Sequence, residues 1–239
     1  VRGQATVPRQ EGMSVGKLPY LIDEICAAVE IYFTGRTGGH YLKTAFILCD
    51  DYTELTAKLF LLTDNSRWSD TAAGGRYKNY QDVLDDVETV FRAKRGAELS
   101  AVQAIQSQMK TRRIRRNDFF HSTHLLDLNA NQRVVVEALC DLFAYGELLF
   151  GAAWQSHLNS SRNLDTMRVL LLIEKASCTD PAMWTKAAAI LRDWPRNKRN
   201  AARKGVHLTE YPEDFHLRLC VTYGTNVLRD KLKTLLPSP

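Results

Sequence analysis

The chain has 239 residues, a formal net charge of +5, 45% hydrophobic residues and 25% charged residues. This length allows one large domain or two small ones, and the composition is that of a globular protein, which excludes an intrinsically disordered chain. No apolar run approaches the ~18 residues that a membrane-spanning helix needs, and no secretory signal pattern is present, so we expect a cytoplasmic protein without a membrane partner.

The first half of the chain predicts an antiparallel set of helices. Residues 1–16 have no periodicity, and we expect them to be disordered or foreign to the natural chain, with Met13 as its natural start. The segment RTGG at 36–39 separates the first two predicted helices, and the polar segment 63–79 is predicted to be a loop. Apolar residues recur at helical spacing over 18–33, 40–63, 80–94 and 99–115.

The middle of the chain contains the clearest helical pattern. A broad apolar stripe predicts a helix over 129–149, with Gly151 as its stop. The polar segment QSHLNSSRN at 155–163 is predicted to be a connector, and a short helix is predicted over 167–176.

The C-terminal part differs in composition and period. Residues 181–203 include six basic residues and one acidic residue, and we predict one or two basic helices there, interrupted at Pro195. After Gly205, the segments VHLT and FHLRLCVTY flank the turn-like EYPED and predict a hairpin. The expected fold is therefore mainly α, with a helical domain over 17–153 and a small basic α+β module over 160–239 that is similar to a winged helix.

The segment RRNDFFHSTHLLDL at 115–128 places Arg116, Asn117 and His121 beside two phenylalanines. Cutting RNA without a metal needs a base for the 2′-hydroxyl proton, an acid for the leaving 5′-oxygen and positive charge for the phosphorane. Histidine serves as acid or base near neutral pH, and the planar fork of arginine suits a phosphate. The alternative is that this segment only begins a helix and buries Phe119 and Phe120.

The spacing of the arginine and the histidine limits how they can meet. Five positions along an ideal helix correspond to a rotation of about 500°, which leaves the two residues about 140° apart. Either the chain is irregular around Asn117 and Asp118, or a second copy of the segment completes the site across a symmetric dimer.

The run from Arg116 to His121 resembles the R-x4-6-H motif of HEPN-domain ribonucleases, in the form where a polar residue follows the arginine. The resemblance covers about 18–153 and implies a HEPN-like helical bundle and a homodimer with both motifs at its interface. It implies RNA as substrate, metal-independent cleavage that leaves a 2′,3′-cyclic phosphate, and no cofactor. His121 would act as general acid or base, Arg116 would stabilise the phosphate and the transition state, and Asn117 would position them. A toxin or phage-defence effector of this kind has an antitoxin or regulatory protein as a possible further partner.

Acidic residues of the second predicted helix are candidates for supporting roles. Glu54 and Lys58 are similar to the acidic and basic pair that some HEPN proteins carry on an early helix, although a surface ion pair worth ~0.3–0.5 kcal/mol is the simpler interpretation. Asp50, Asp51 and Glu54 together are expected to orient an arginine or a histidine.

Further residues near the motif are candidates for binding RNA. We expect the basic side chains to steer RNA toward the site, His124 to assist substrate binding, and Asp118 to orient His121. The alternatives are a solvated helix end for the basic residues, a cap or filler of local structure for His124, and a cap of the following turn for Asp118. The basic candidates are Arg112, Arg113 and Arg115.

The basic C-terminal segment supports a rival hypothesis from another class. A helix there would contact a nucleic-acid backbone and the hairpin would act as a wing, so that the chain is a regulator whose helical part only dimerises. A non-catalytic HEPN adaptor that binds a partner protein is a third hypothesis. The candidate nucleic-acid-binding residues are Arg196, Lys198, Arg199, Arg203 and Lys204.

The sequence patterns of other enzyme classes are missing from the chain. No HExxH, P-loop, GxGxxG or GxSxG pattern occurs, so we expect no metal site and no nucleotide cofactor. The five cysteines are widely spaced and none lies in a CxxC pattern, which favours reduced core thiols over disulfides or zinc ligands.

Overall fold

The computed structural model of the chain describes residues 16–34, 39–72, 74–121, 128–160, 164–203, 205, 217, 220 and 224–237. Within these residues the structure is mainly helical, which confirms the predicted fold class at that level. The helices are α1 (Leu18–Thr34), α2 (Gly39–Asp64), α3 (Tyr80–Lys94), α4 (Leu99–His121), α5 (Leu128–Phe150), α6 (Ala152–Ser160), α7 (Leu164–Ser177), α8 (Pro181–Asp193), α9 (Pro195–Arg203) and α10 (Asn226–Lys233). A 3-10 turn, Gly96–Glu98, joins α3 to α4.

Local sequence signals explain where several helices begin and end. The Asn79 side chain accepts a hydrogen bond from the Asp82 amide, and the Asp82 carboxylate accepts one from the Asn79 amide, so a capping box starts α3. Gly151 has a positive φ of 53° and ends α5, as predicted. Pro195 follows the break between α8 and α9, which confirms the predicted interruption.

The predicted connector over 155–163 is wrong for its first part, because α6 covers Ala152–Ser160. Trp154 and Leu158 lie four residues apart on α6, and both are buried. Burial of one apolar stripe on the hydrophobic core stabilises this helix despite its polar composition.

The predicted C-terminal hairpin is not confirmed. The segment VHLT lies outside the described residues, and Leu217 and Cys220 of the second predicted strand are helical instead. Both side chains are buried, and residues three apart share one face of a helix, whereas they point to opposite faces of a strand. In the described part of the chain, the β pairing consists of an isolated bridge between Thr71 and Tyr77.

Two hydrophobic clusters hold the helices together. The first is built from α1, α2 and α5 to α8 with α10, so residues on both sides of the predicted boundary at 153–160 contribute to it. The second lies between α2, α3, α4 and α5 and places α4 against α2. None of the helices described is both long enough and apolar enough to cross a membrane.

Candidate active site

The candidate site is built on the contact between α2 and α4. Residues three or four apart share one face of a helix, so α2 presents Asp50 and Glu54 to α4, and α4 presents Arg113 and Arg116 to α2. The Nη1 atom of Arg113 donates to Asp50 Oδ2 at 2.9 Å and to Glu54 Oε2 at 3.2 Å. We call these four residues, together with Asp51, the arginine–carboxylate cluster.

Arg116 is held by two neighbouring carboxylates. Its Nε atom lies 3.5 Å from Asp50 Oδ2, and its Nη2 atom donates to Asp51 Oδ1 at 3.3 Å. The two acids differ in burial, since the Asp50 side chain is 6% exposed and the Asp51 side chain is 49% exposed. The acidic group of α2 therefore orients an arginine, which is the contact expected from the sequence.

Burial and charge act in opposite directions on Asp50. Burial raises the pKa of the Asp50 carboxyl, and the guanidinium groups of Arg113 and Arg116 lower it to a smaller extent. The ionised carboxylate is therefore less favourable in the folded chain than in water, despite its two cationic partners. The Asp50 carboxylate therefore serves to position Arg113 and Arg116 more than to raise the free energy of unfolding.

Arg113 is fixed from a second side by an aromatic ring. Its guanidinium carbon lies 4.2 Å from the ring centre of Tyr80, the first residue of α3. Burial raises the pKa of the Tyr80 hydroxyl far above its usual range, so the ring stays neutral. Arg113 is thus engaged inside the cluster, and its role in steering RNA stays a prediction.

Arg112 lies on another face of α4, toward α5. Its Nη2 atom donates to Asp141 Oδ2 at 2.7 Å, and both side chains are mostly buried. This ion pair joins α4 to α5. It does not test the predicted contact of Arg112 with RNA, which stays a prediction.

Glu54 and Lys58 form the predicted i,i+4 ion pair, with 2.9 Å between Lys58 Nζ and Glu54 Oε1. The pair is not isolated, because Glu54 also accepts from Arg113. Lys58 Nζ lies 3.8 Å from Asp70 Oδ2, so ion pairs continue from the cluster to the loop between α2 and α3.

The backbone of α4 bears on one of the two alternatives for the motif. Helix α4 continues without interruption from Leu99 to His121, so the alternative of an irregular chain around Asn117 and Asp118 is not found, and completion of the site by a second copy stays a prediction. Positions 116 and 121 are therefore separated by about 140° of rotation around one helix. Arg115 and Asn117 are exposed beside them. The side chains of Asp118 and His121, and the whole of His124, lie outside the described residues.

The C-terminal basic residues lie on a separate helix, α9. Asn197 anchors this helix, because its side chain is buried and donates to the Leu191 carbonyl at 2.5 Å and to Cys220 Sγ at 3.3 Å. Lys204 lies outside the described residues. The exposed basic side chains of α9 are Arg196, Lys198, Arg199 and Arg203.

Two residues that hold the arginines of α4 were not predicted from the sequence. Tyr80 and Asp141 lie far along the chain from Arg113 and Arg112, and neither carries a local signal that names its partner. Their roles follow from how α3 and α5 pack on α4, which the apolar stripes of these helices indicate only in outline.

Comparisons of the chain with models of protein families, with curated proteins and with solved structures yield no match. Across the described ranges, no group of three or more histidine, cysteine, aspartate and glutamate side chains is arranged to hold a metal ion. The chemistry of the site therefore has to be argued from the geometry of its own residues.

Proposed function

We propose that the chain is a metal-independent endoribonuclease of the HEPN type, which acts in the cytoplasm as a toxin or antiviral effector. The observation that carries the proposal is the placement of Arg116. It lies near the end of α4, held by Asp50 and Asp51, on the same uninterrupted helix as His121. RNA is the substrate and no cofactor takes part.

The contacts of Arg116 suit an exchange of partners. Its contact with Asp51 is long, at 3.3 Å, and Asp51 is half exposed, so this ion pair contributes little energy. A phosphate of RNA replaces Asp51 at Nη2, while the buried Asp50 keeps the guanidinium in place. The side chain is then already in the position from which it stabilises the transition state.

A homodimer completes the site. Since positions 116 and 121 lie about 140° apart around one helix, the arginine and the histidine that act on one phosphate come from two copies of α4. One histidine removes the 2′-hydroxyl proton and a second protonates the leaving 5′-oxygen, while arginine stabilises the phosphorane. The product ends are a 2′,3′-cyclic phosphate and a 5′-hydroxyl.

The proposal is tested by incubating the purified chain with total RNA in excess chelator and analysing the new ends. We expect cleavage with 2′,3′-cyclic phosphate ends. We expect Arg116→Ala and His121→Ala each to lower the rate by at least a hundredfold, because the first removes the charge that stabilises the phosphorane and the second removes the group that transfers a proton. Far-ultraviolet circular dichroism checks that the variants fold.

Arg92→Ala is the matched control, since it removes an exposed arginine from α3 and leaves the cluster intact. Its cleavage rate should equal that of the parent. Full activity of His121→Ala would exclude the proposed site, and cleavage that the chelator abolishes would exclude the metal-independent mechanism.

The exposed basic face of α9 favours a second candidate, a nucleic-acid-binding regulator. Arg199 and Arg203 lie four residues apart on one stripe of this helix. If α9 binds duplex DNA, the logarithm of the association constant falls with the logarithm of the salt concentration, with a slope whose magnitude is ~0.9 per phosphate contact. The double change Arg199→Ala and Arg203→Ala removes two such contacts and should lower the magnitude of the slope by about 2. The regulator hypothesis replaces the ribonuclease only if this slope falls and the chain cuts no RNA.

A further inference from the structure

The loop between α2 and α3 folds back on itself next to the arginine–carboxylate cluster. The Lys78 amide donates to the Asp70 carbonyl at 2.7 Å, and the Ala72 amide donates to the Arg76 carbonyl at 2.8 Å. Gly74 and Gly75, with φ of 91° and 78°, supply the left-handed conformations of the turn. We call residues 70–72 and 74–78, the described part of this segment, the 70–78 hairpin.

Side chains anchor the base of the 70–78 hairpin on two helices. On the α2 side, Asp70 lies 3.8 Å from Lys58. On the α3 side, Asp86 Oδ2 accepts from Lys78 Nζ at 2.6 Å and from Trp68 Nε1 at 2.8 Å. The Lys78 ammonium also lies 5.0 Å from the ring centre of Trp68. The base of the hairpin therefore contacts both α2 and α3.

Tyr77 is an exposed aromatic residue of the 70–78 hairpin. Its side chain is 74% exposed, although its main chain is paired with Thr71. The preceding residues 74–76 are exposed, and Arg76 among them is basic. Arg67 is also exposed and is next in the chain to Trp68, whose ring contacts Lys78, the neighbour of Tyr77. At protein–protein interfaces, the aromatic residues that contribute most of the binding energy lie inside a patch from which water is excluded. Single-stranded nucleic acid instead stacks its bases on exposed aromatic rings in positively charged grooves.

The hairpin lies within reach of a strand bound at Arg116. Asp51, which contacts Arg116, and Lys58, which contacts Asp70, are seven residues apart on α2, a rise of about 10 Å. Stacked nucleotides advance by ~3.4 Å along a strand, so this distance corresponds to about three nucleotides. A single strand whose phosphate lies at Arg116 thus meets the hairpin within a few bases.

We propose that Tyr77 is a substrate-binding residue, which stacks on an unpaired base of single-stranded RNA a few nucleotides from the cut phosphate. Arg67 and Arg76 meet the neighbouring phosphates. The inference rests on the proposed ribonuclease function and adds to it the class of substrate, RNA with unpaired bases, and the side of the site on which the strand lies.

The test measures binding apart from cleavage. A fluorescein-labelled single-stranded RNA with 2′-O-methyl groups lacks the attacking hydroxyl, so its affinity for the otherwise intact chain is read by fluorescence anisotropy in chelator. Tyr77→Ala should weaken binding by about tenfold, the usual effect of losing one stacked base. Tyr77→Trp should retain the affinity, because it keeps a ring that stacks.

Tyr20→Ala is the matched control, since Tyr20 is a tyrosine of α1 with the same exposure, 73%. It should bind the RNA as the parent does. Equal affinities of Tyr77→Ala and the parent would overturn the inference and leave the ribonuclease proposal standing if the parent still cuts unmodified RNA. Loss of self-association in Tyr77→Ala with unchanged RNA binding would assign the residue to a protein contact instead. A parent that neither binds nor cuts RNA would remove both proposals.

Discussion

Replacing Gly146 by valine is expected to destabilise the fold by about 3 kcal/mol or more. A Cβ atom at Gly146 would lie 2.4 Å from Cη2 and Cζ2 of Trp154, well inside van der Waals contact. Trp154 is 0% exposed, and its ring packs edge to face with Phe143 and in parallel with Phe150. The ring has no room to retreat, so either the two helices separate or the aromatic cluster repacks.

The measurement is the urea unfolding midpoint and slope of the parent and the variant, which give the free energy of unfolding. Gly146→Ala should fall between the two, because the clash of one methyl group is partly offset by the gain of ~1 kcal/mol in helix propensity. Gly96→Ala is the control, since a Cβ there meets nothing within 4 Å. A Gly146→Val chain as stable as the parent would show that α5 and α6 do not pack at this distance.

Close packing of this kind also explains where sequence reasoning about the fold succeeded and failed. Helices such as α3 were predictable because the spacing of Val83, Leu84, Val87 and Phe91, and the cap at Asn79, are local signals. Helix α6 was missed because its composition is polar, and its stability comes from Trp154 filling the space that Gly146 leaves.

The candidate site shows the same division. The motif itself indicated that Arg116 and His121 share a segment, and helical rotation indicated that they diverge. The partners of Arg116 were predictable as an acidic group of α2, but not the individual contacts. Arg113 meets Glu54 across 59 residues, and that pairing depends on the angle and register between two helices, which no local pattern encodes.

Replacing Asp50 by asparagine is expected to lower the rate of RNA cleavage by about a hundredfold, the effect of misplacing a catalytic group by about 1 Å. Asp50 touches Arg113 and Arg116, and it is the buried one of the two acids that hold Arg116. An amide of the same shape keeps one acceptor but loses the charge that attracts both guanidinium groups. Single-turnover rates should fall, while the affinity for 2′-O-methyl RNA changes little.

The stability of the Asp50→Asn chain should differ from that of the parent by less than about 1 kcal/mol at neutral pH, because the buried charge is itself costly and both arginines keep another carboxylate. The pH dependence has a definite sign. Since burial raises the pKa of Asp50 in the folded chain, its contribution to stability is fully present below the unfolded pKa and is lost as pH rises through the folded one. The parent should therefore gain stability relative to Asp50→Asn on acidification, as paired urea midpoints across pH would show.

Asp141→Asn is the control that separates an effect on stability from an effect on catalysis. Asp141 binds Arg112 on another face of the same helix at 2.7 Å, so the change removes an equivalent carboxylate without touching Arg116. We expect this variant to lose stability and yet to cleave RNA within about threefold of the parent when folded, since surface and structural ion pairs act on folding and not on the transition state. Equal losses of cleavage in the two variants would mean that α4 as a whole, and not the carboxylate at Asp50, sets the activity. A loss confined to Asp50→Asn, with kcat reduced and binding retained, would identify Asp50 as the residue that positions Arg116 for catalysis.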